Sequence, residues 1–587
     1  MSETKPNKPK KSSDGLNRLA CLPRILDNYR FANLGPLMQQ NSIYYSFLVL
    51  LCLCLYLPGI ASLPMVDRDS PHFSQATKQM LQTGNYLQVK FQNHPRHLKP
   101  PGYYWLQAMS VKLFSSVKAA TNWPYRLPGV LGAILAVLMT FGFAKRYVKK
   151  EVALLAAALL ASCFLLLIET RLTVTDTLLL ATMVLMQGGL WEIYTSHSRQ
   201  QTVRLRAVLY FWLGMTAGIL IKGITPLVGF LTIIGLCIAD KNIAWLKKIR
   251  FGLGLTLLIL LTLAWLVPVS MAGKSNFLFD MVRGDVLPKL AGGQQSHGMP
   301  PGYYLLIFSL MFWPASLFVW FGNVWGFRQR KDPTIRFLWA WIIPSWIFFA
   351  LVPTKLPQYV LPVYPAIAVL TSLGIFARKE FTCRPLTKFL CRLQYVVWAL
   401  LGLAVTAAVI TLPFYLLGVG SVVGFMVAGV VLLTLVLMFY QIYLNEHVKA
   451  AWIAVIASIF IFAPVFGVLL PNMRPLWISQ RVKTFIQKNN IQLTQSQPLY
   501  AVGYGEPSLV FLLGTHKVKF APIDAAIAAL RQQRADFVLC NQRIAADFSN
   551  QAKQNGIVLE PIKTVRGFNL GNSRWIQLTL YKKISTK

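Results

Sequence analysis

Apolar runs of membrane-spanning length recur along most of the chain. With a span taken as about 17–25 residues, they predict helices near 43–62, 127–144, 152–168, 177–194, 207–221, 224–239, 251–271, 303–321, 337–352, 358–376, 394–418, 420–441 and 451–470. Helix is the expected state because lipid offers backbone N–H and C=O groups no water. A membrane β-barrel would alternate polar and apolar positions in segments of about ten residues. These runs are too long and too uniformly apolar for that. After about residue 471 the pattern changes. PLYAVGY, HKVKFA, DFVLC and RWIQLTLY read as strands, and EPSLVFLL, IDAAIAALRQQR and IAADFSNQAKQN as helices. The expected fold class is an all-α polytopic membrane bundle of about 13 transmembrane helices, followed by a small soluble α/β domain. Three parts result: a basic tail over residues 1–42, a membrane domain over 43–470 and an α/β domain over 471–587.

Composition agrees. Of 587 residues 55% are hydrophobic and 13% charged, against about 25% charged in soluble domains. The net charge of +38, from 58 Lys+Arg and 20 Asp+Glu, is large enough to raise nucleic acid as a partner. Its distribution argues against one. KPNKPKK, KRYVKK, RQQTVRLR, KNIAWLKKIR, RQRKDPTIR and ARKEFTCRPLTKFLCR all fall on one set of alternate sides, as expected of loops kept in the cytoplasm. This places the N-terminus inside, and the 62–126 loop and the C-terminal domain outside. The eight cysteines show neither metal-ligand spacing nor a disulfide framework. No cleavable signal peptide is expected, because the first 40 residues are polar and basic and the first apolar run is long enough to remain as a span.

The outward loops are poor in charge, so the charges they do carry stand out. These are Glu169, Arg171 and Asp176; Lys222; Lys274, Arg283, Asp285 and Lys289; Lys355; and Asp67, Arg68, Asp69, Arg96 and Lys99 from the first loop. One such group alone is a lipid-headgroup anchor; a set from five loops on one face points to function. In the first loop, Ser70 followed by Pro71 reads as a capping hydroxyl and a first helical position. Phe73, Ala76, Thr77, Met80 and Leu81 then share a face, and Gly84 ends the run. The pattern predicts a short amphipathic helix lying in the membrane interface. Asp69 stands at its N-terminus, where the helix dipole favours a carboxylate. Pro100 and Pro101 stiffen the chain behind Lys99, and Tyr103, Tyr104 and Trp105 suit the headgroup layer. A second interfacial helix is expected to end near Ser116, and Arg126 lies at the outer end of the next span. The loop around GKSNFLFDMVRGDVLPKLAGGQQSHGM mixes acid, base, glycine and His297 and reads as a substrate-gated lid. TKLPQYVLPVYP holds Lys355, with Tyr359 close behind.

Cations stabilise phosphate, and a carboxylate can deprotonate a hydroxyl. The set therefore suggests chemistry on a lipid-linked phosphate at the outer face. The DRD of residues 67–69 has the form of the D-x-D metal motif of nucleotide-sugar transferases. Three residues are a short match, and nucleotide-activated donors are scarce outside the cytoplasm. No metal ligand is assigned, although a carboxylate with His297 is of the type that holds a divalent ion.

These residues reach a known family. DSPHFSQATKQMLQTGNY and LKPPGYYWL, followed by YRLPGVLGAILAVL, TRLTVTDTLLLA, ILIKGITPLV, GQQSHGMPPGYYLL and TKLPQYVLPVYPAIAVL, resemble in order and spacing the membrane glycosyltransferases of GT-C class. The resemblance is to the group of lipid A aminoarabinose transferases and protein O-mannosyltransferases, and covers about residues 45–370. It implies a GT-C bundle with interfacial helices in the first outward loop, in a bacterial inner membrane. It implies a polyprenyl-phosphate sugar donor, undecaprenyl phosphate in a bacterium, and transfer with inversion. By similarity Asp69 is the catalytic base. Lys99, Arg126, Lys222, Arg283, Lys355 and Tyr359 are donor-phosphate candidates, and Asp67, His72, Tyr103, Asp176 and His297 accessory or substrate-binding ones. No cofactor is required. Three positions depart from the family: Ser70 stands at a usual glutamate, His72 at a usual arginine, and Leu98 where some members carry an acidic residue just before Lys–Pro–Pro. The expected acceptor is lipid A or another envelope glycolipid or glycan. The alternatives are a protein acceptor, or a transporter or flippase of lipid-linked saccharides, which would place charges at mid-membrane and repeats among the spans.

Overall fold

The computed structural model describes residues 41–67, 69–117, 121–273, 276–292, 298–378, 385–571 and 573–584. The basic tail through residue 40 and His297 lie outside the described residues. Every predicted apolar segment carries helix. Among the described residues nine helices are long and apolar enough to cross a membrane, or ten if the bent pair Tyr303–Met311 and Ala315–Arg328 is one span. The count falls below the expected one, about 13, because several segments are short or broken. Asn41–Tyr56 and Thr225–Asp240 are shorter apolar helices. The segment at 152–168 divides into Lys150–Ser162 and Phe164–Glu169 at Cys163, which takes an extended conformation.

One apolar core runs through the helical part from Tyr44 to Met473. Small residues let helices meet backbone to backbone, as is common in lipid. A Cβ at Gly374 would stand 2.2 Å from the Gly322 nitrogen, so Tyr364–Phe376 and Val319–Arg328 pack at a distance only glycine permits. Two arginines predicted on the outer face are structural clasps. Arg126 is fully buried; its terminal nitrogens donate to the carbonyls of Ile60 and Leu63, both at 2.7 Å, and of Pro64 at 2.8 Å. Arg171 donates to the carbonyls of Leu167 and Pro58, at 2.7 and 3.1 Å, and to that of Leu55. Its guanidinium lies 4.2 Å from the Phe466 ring centroid. Together they hold the turn after the first helix, where backbone carbonyls have no helical partners.

The first outward loop forms the expected helix, Asp69–Thr83, ended by Gly84 at φ +69°. Two details differ from the sequence reading. Ser70 lies inside the first turn rather than capping it, and its hydroxyl accepts from the Thr173 N–H at 3.2 Å. The Thr173 hydroxyl in turn donates to the Ser70 carbonyl at 2.6 Å. A tertiary partner has displaced the local cap. The polar face is also covered, not open. Gln75 donates to Thr515 at 2.8 Å, Thr515 to Gln82 at 2.8 Å, and Lys78 to the Phe511 carbonyl at 3.0 Å. The C-terminal domain supplies that cover. The second helix is Gly102–Phe114.

The C-terminal domain is a five-stranded sheet. A two-stranded ribbon in the first loop, β1 (Lys90–Phe91) and β2 (His94–Pro95), precedes it. The sheet contains β3 (Leu499–Val502), β4 (Val518–Phe520), β5 (Phe537–Asn541), β6 (Val558–Asn569) and β7 (Arg574–Ile584). Its order is β4-β3-β5-β7-β6, with β3 parallel to β4 and β5, and β7 antiparallel to β5 and β6. The helices Pro507–Leu513, Ile523–Arg531 and Ala545–Gln554 were legible from sequence. Strand β6 and the helix Ile478–Lys488 were not. β6 carries Pro561 and three charged residues, yet it is an edge strand whose register shifts at Pro561/Lys563, where proline is tolerated.

The Arg126 clasp predicts a stability effect. Arg126→Met leaves three carbonyls without donors and should destabilise the protein by about 2–4 kcal/mol. Thermal unfolding in detergent reads this out. An unchanged unfolding temperature would contradict the clasp.

Candidate active site

Five outward segments converge on a cavity of about 310 Å³. The first loop brings Asp69, Arg96 and Lys99. Val174–Asp176 leads into the helix Asp176–Ser198. Lys222 ends the helix Leu205–Lys222, where Gly223 turns the chain at φ +65°. Gly284, Asp285 and Lys289 come from the short helical turns over 277–291, and Gln358 and Tyr359 from the TKLPQY segment. Four cations and three carboxylates thus line one small space.

The charges are paired in a definite pattern. Lys222 contacts Asp176 at 2.5 Å, and Lys99 and Lys289 contact Asp285 at 2.5 and 2.6 Å. Lys222 also lies 5.5 Å from the centre of the Tyr359 ring, and Arg96 lies 5.6 Å from that of Phe73. Burial, then the neighbouring Lys289, pushes the Lys99 ammonium down to about 8. Burial raises the Asp285 carboxyl, but Lys99 and Lys289 pull it below its ordinary value. The Asp69 carboxylate, by contrast, makes no hydrogen bond or ion pair among the described residues. Its helix terminus is exposed.

Two further cavities adjoin this one. A cleft of about 150 Å³ shares Lys99, Lys222, Asp285, Lys289 and Tyr359 with it. Its remaining wall is largely apolar, with Ile224, Val228, Met281, Phe348 and Phe349. Ile224 and Phe348 are exposed on the helix surface, so the cleft leads from the charged cavity to the apolar exterior. The third cavity, about 990 Å³, lies between the first loop and the C-terminal domain. Asp69, Val174, Leu356 and Gln358 belong to both the charged cavity and this large one. Asp67 lines only the large one, where its Oδ1 accepts from the Ser508 N–H at 3.3 Å. Burial and then Glu506 raise the Asp67 carboxyl to about 7.

Of the sequence candidates, Asp69, Lys99, Asp176, Lys222 and Tyr359 come together. Five do not line these cavities. Arg126 is committed to backbone carbonyls, as described above. Arg283 is exposed, with its guanidinium 5.9 Å from the Phe279 ring. Lys355 is buried and donates to the Val352 carbonyl at 2.7 Å. His72 packs against the Phe91 ring, with centroids 4.6 Å apart; burial, then Arg96, lowers it to about 3, so it is neutral. Tyr103 is fully buried, edge-on to Phe73. Asp285 and Lys289 were visible as charges in the 273–302 loop but not selected; their i, i+4 spacing was the signal. Glu169 is buried beside this site, with Oε2 lacking a hydrogen-bond partner among the described residues. Among those residues no group of three or more His, Cys, Asp or Glu could hold a metal ion.

The chain is similar to known proteins in sequence and in fold. Residues 98–267 match the family model described as dolichyl-phosphate-mannose-protein mannosyltransferase. The undecaprenyl phosphate-alpha-4-amino-4-deoxy-L-arabinose arabinosyl transferase of Enterobacter sp. (strain 638) is 26% identical over 339 residues, 56% of this chain and 59% of that protein. A second such transferase, from Proteus mirabilis (strain HI4320), is 22% identical over 63% of this chain and 66% of its own length. The chain thus spans about three fifths of the length of the first relatives it matches. The crystal structure of ArnT from Cupriavidus metallidurans bound to undecaprenyl phosphate superposes with a TM-score of 0.68 at 15% identity, covering 92% of this chain and 97% of that one. Fold and sequence describe a multi-pass membrane protein that is similar to these transferases. It resembles the aminoarabinose transferases and the protein mannosyltransferases.

The raised Asp67 carboxyl predicts a pH effect on the domain seam. The folded protein holds this proton more tightly than the unfolded chain does. The stability it contributes is complete below the ordinary carboxylate range, near pH 4, and is lost as pH rises through about 7. Asp67→Asn should remove that step, so its thermal unfolding curve should gain on wild type as pH rises. Parallel wild-type and variant profiles would contradict the burial of this carboxyl.

Proposed function

We propose that the protein is a glycosyltransferase that takes a sugar from a polyprenyl-phosphate donor, undecaprenyl phosphate in a bacterial inner membrane, and passes it to lipid A or a related envelope glycolipid or glycan. The observation that carries this reading is the position of Asp69. It is a carboxylate without a partner among the described residues, at the junction of a cation-lined cavity and a larger one.

The donor's phosphate fits beside Lys99, Lys222 and Lys289, and its prenyl chain fits the apolar cleft. Arg96 adds a fourth cation to the same wall. An acceptor hydroxyl approaching from the large cavity gives its proton to the Asp69 carboxylate. Its oxygen forms a bond to the anomeric carbon as the bond from that carbon to the phosphate oxygen breaks. The electron pair leaves with the phosphate, and the lysines stabilise the charge that builds there. Attack from the face opposite the leaving group inverts the anomeric centre. The three lysines do the work a metal performs for nucleotide donors, so the reading needs no cofactor. In the same reading an odd number of crossings places the N-terminus in the cytoplasm and the α/β domain in the periplasm.

Two experiments test the assignment. Asp69→Asn should slow transfer at least ~100-fold, the lower range for a general base, while undecaprenyl-phosphate binding persists. Full transfer activity in that variant would sink the assignment of the base. The lowered Lys99 predicts the second result. The ammonium form binds phosphate, so donor affinity should be full below about pH 8 and decline as pH rises through it. Lys99→Gln should bind more weakly and lack that decline. A wild-type affinity flat from neutral pH to well above pH 8 would remove Lys99 from the phosphate site.

A further inference from the structure

One polar contact beside the charged cavity has no part in the chemistry proposed above. His97 donates through Nδ1 to Asp280 Oδ2 at 2.9 Å, and its ring centroid lies 5.2 Å from that of Phe277. His97 stands two residues before Lys99, on the same stretch of the first loop. Asp280 stands five residues before Asp285, on the turns over 277–291. Polar contacts thus join the two segments at His97–Asp280 and at Lys99–Asp285. Between these points Leu98 lies over Gly284, where a Cβ would stand 3.2 Å from Leu98 Cδ2.

The backbone between the two carboxylates makes the double contact possible. Val282–Val286 is a π-helical turn, set between the α-helical turns Phe277–Met281 and Leu287–Ala291. Hydrogen bonds in such a turn run from i to i+5, so Asp280 and Asp285 come round to the same side. In an unbroken α-helix, with about 3.6 residues per turn, positions five apart face different directions. The remaining seat of these turns is apolar and one-sided. Phe277 and Met281, four apart on one line, are buried in a cluster with Trp265 and Val269. That line of contact leaves the turns beyond it free to rock, and Arg283, Gly284 and Leu287 there are exposed. Lys289 contacts Asp285 at 2.6 Å. In the proposed reading the donor phosphate replaces Asp285 as the partner of Lys99 and Lys289. The Lys99–Asp285 link between the segments is then lost at the moment Lys289 is needed. The His97–Asp280 link is not.

We propose that His97, clamped by Asp280, is a positioning residue for the donor phosphate: it fixes the turns over 282–291 so that Lys289 stays in the cavity after Asp285 has given up Lys99. The proposal takes its ligand from the donor reading, but the His97–Asp280 tether is independent of that reading. His97 need not touch the phosphate. It acts through Lys289, by keeping the backbone that carries this lysine against the first loop.

Two measurements on the purified full-length protein in detergent test this. The first is undecaprenyl-phosphate affinity in a double-mutant cycle. Lys289→Gln removes a charge-assisted contact and should weaken binding about tenfold. His97→Ala should weaken it by a similar factor, and His97→Gln, which still carries a donor, by less. The His97→Ala/Lys289→Gln protein should bind no more weakly than either single variant, because His97 acts through Lys289. Were His97 only part of the fold, the two factors would multiply to ~100-fold. Multiplying factors overturn the proposal, and so does unchanged affinity in His97→Ala. The second measurement is amide hydrogen exchange over residues 282–291 without ligand. His97→Ala and Asp280→Ala should each speed it about tenfold, and together no further. Exchange in the helix Asp176–Ser198 should be unchanged, which shows that the variants are folded. Wild-type exchange over 282–291 in His97→Ala overturns the tether and the proposal with it. If undecaprenyl phosphate fails to bind wild type while the exchange pattern holds, the donor reading fails and the tether stands.

Discussion

Keeping lysines charged where water is scarce is the constraint around which the outer face is organised. Removing an ammonium from water costs several kcal/mol unless a partner offsets it. Asp176 and Asp285 provide those partners. Lys222 reaches one and Lys99 and Lys289 share the other. The backbone devices nearby follow from that need. Pro100 and Pro101 fix the chain behind Lys99, Gly223 turns it at Lys222, and the tight helical turns over 277–291 bring Asp285 and Lys289 to the same point. A phosphate entering this pocket would replace carboxylates as partner to cations already in place, so the site need not gather its charges at the moment of binding.

The same logic separates arginines from lysines. Arg126 and Arg171 are buried deeper and spend their donors on backbone carbonyls. A guanidinium presents five donors in a fixed plane and suits a turn with several unpaired carbonyls at once. A lysine ammonium is a compact charge that can exchange one anion for another. Arg126 and Arg171 thus serve architecture, while Lys99, Lys222 and Lys289 stay at the cavity, joined there by Arg96.

Much of this was legible in the sequence, for identifiable reasons. Apolar runs have a period and a length, so each predicted segment carries helix, and the strand–helix alternation after residue 471 marked the α/β domain. Lys99, Lys222, Asp69 and Tyr359 were legible because each stands beside a proline, a glycine or a helix end that fixes its direction. Arg126 misled because a charge at the end of a span looks the same whether it faces lipid phosphate or a ring of carbonyls. Ser70 misled because its capping pattern is local and Thr173, its partner, is 103 residues away. The large cavity was not legible. Its walls come from loops whose residues, GYGEP among them, have no meaning until β3 and β5 lie side by side.

The contact between the first loop and the last domain also bears on how the molecule comes to exist. Gln75 and Thr515, which touch, are 440 positions apart, and Asp67 and Ser508 are 441 apart. The helical segments between them bury one another and can assemble as they are made. The polar face of Asp69–Thr83 waits, uncovered, for almost the whole of synthesis. The large cavity therefore acquires its second wall last, and a chain interrupted before residue 500 would own the cation-lined pocket without the chamber above it. Biogenesis thus runs in the order of the two cavities, the charged one first and the enclosing one at the end.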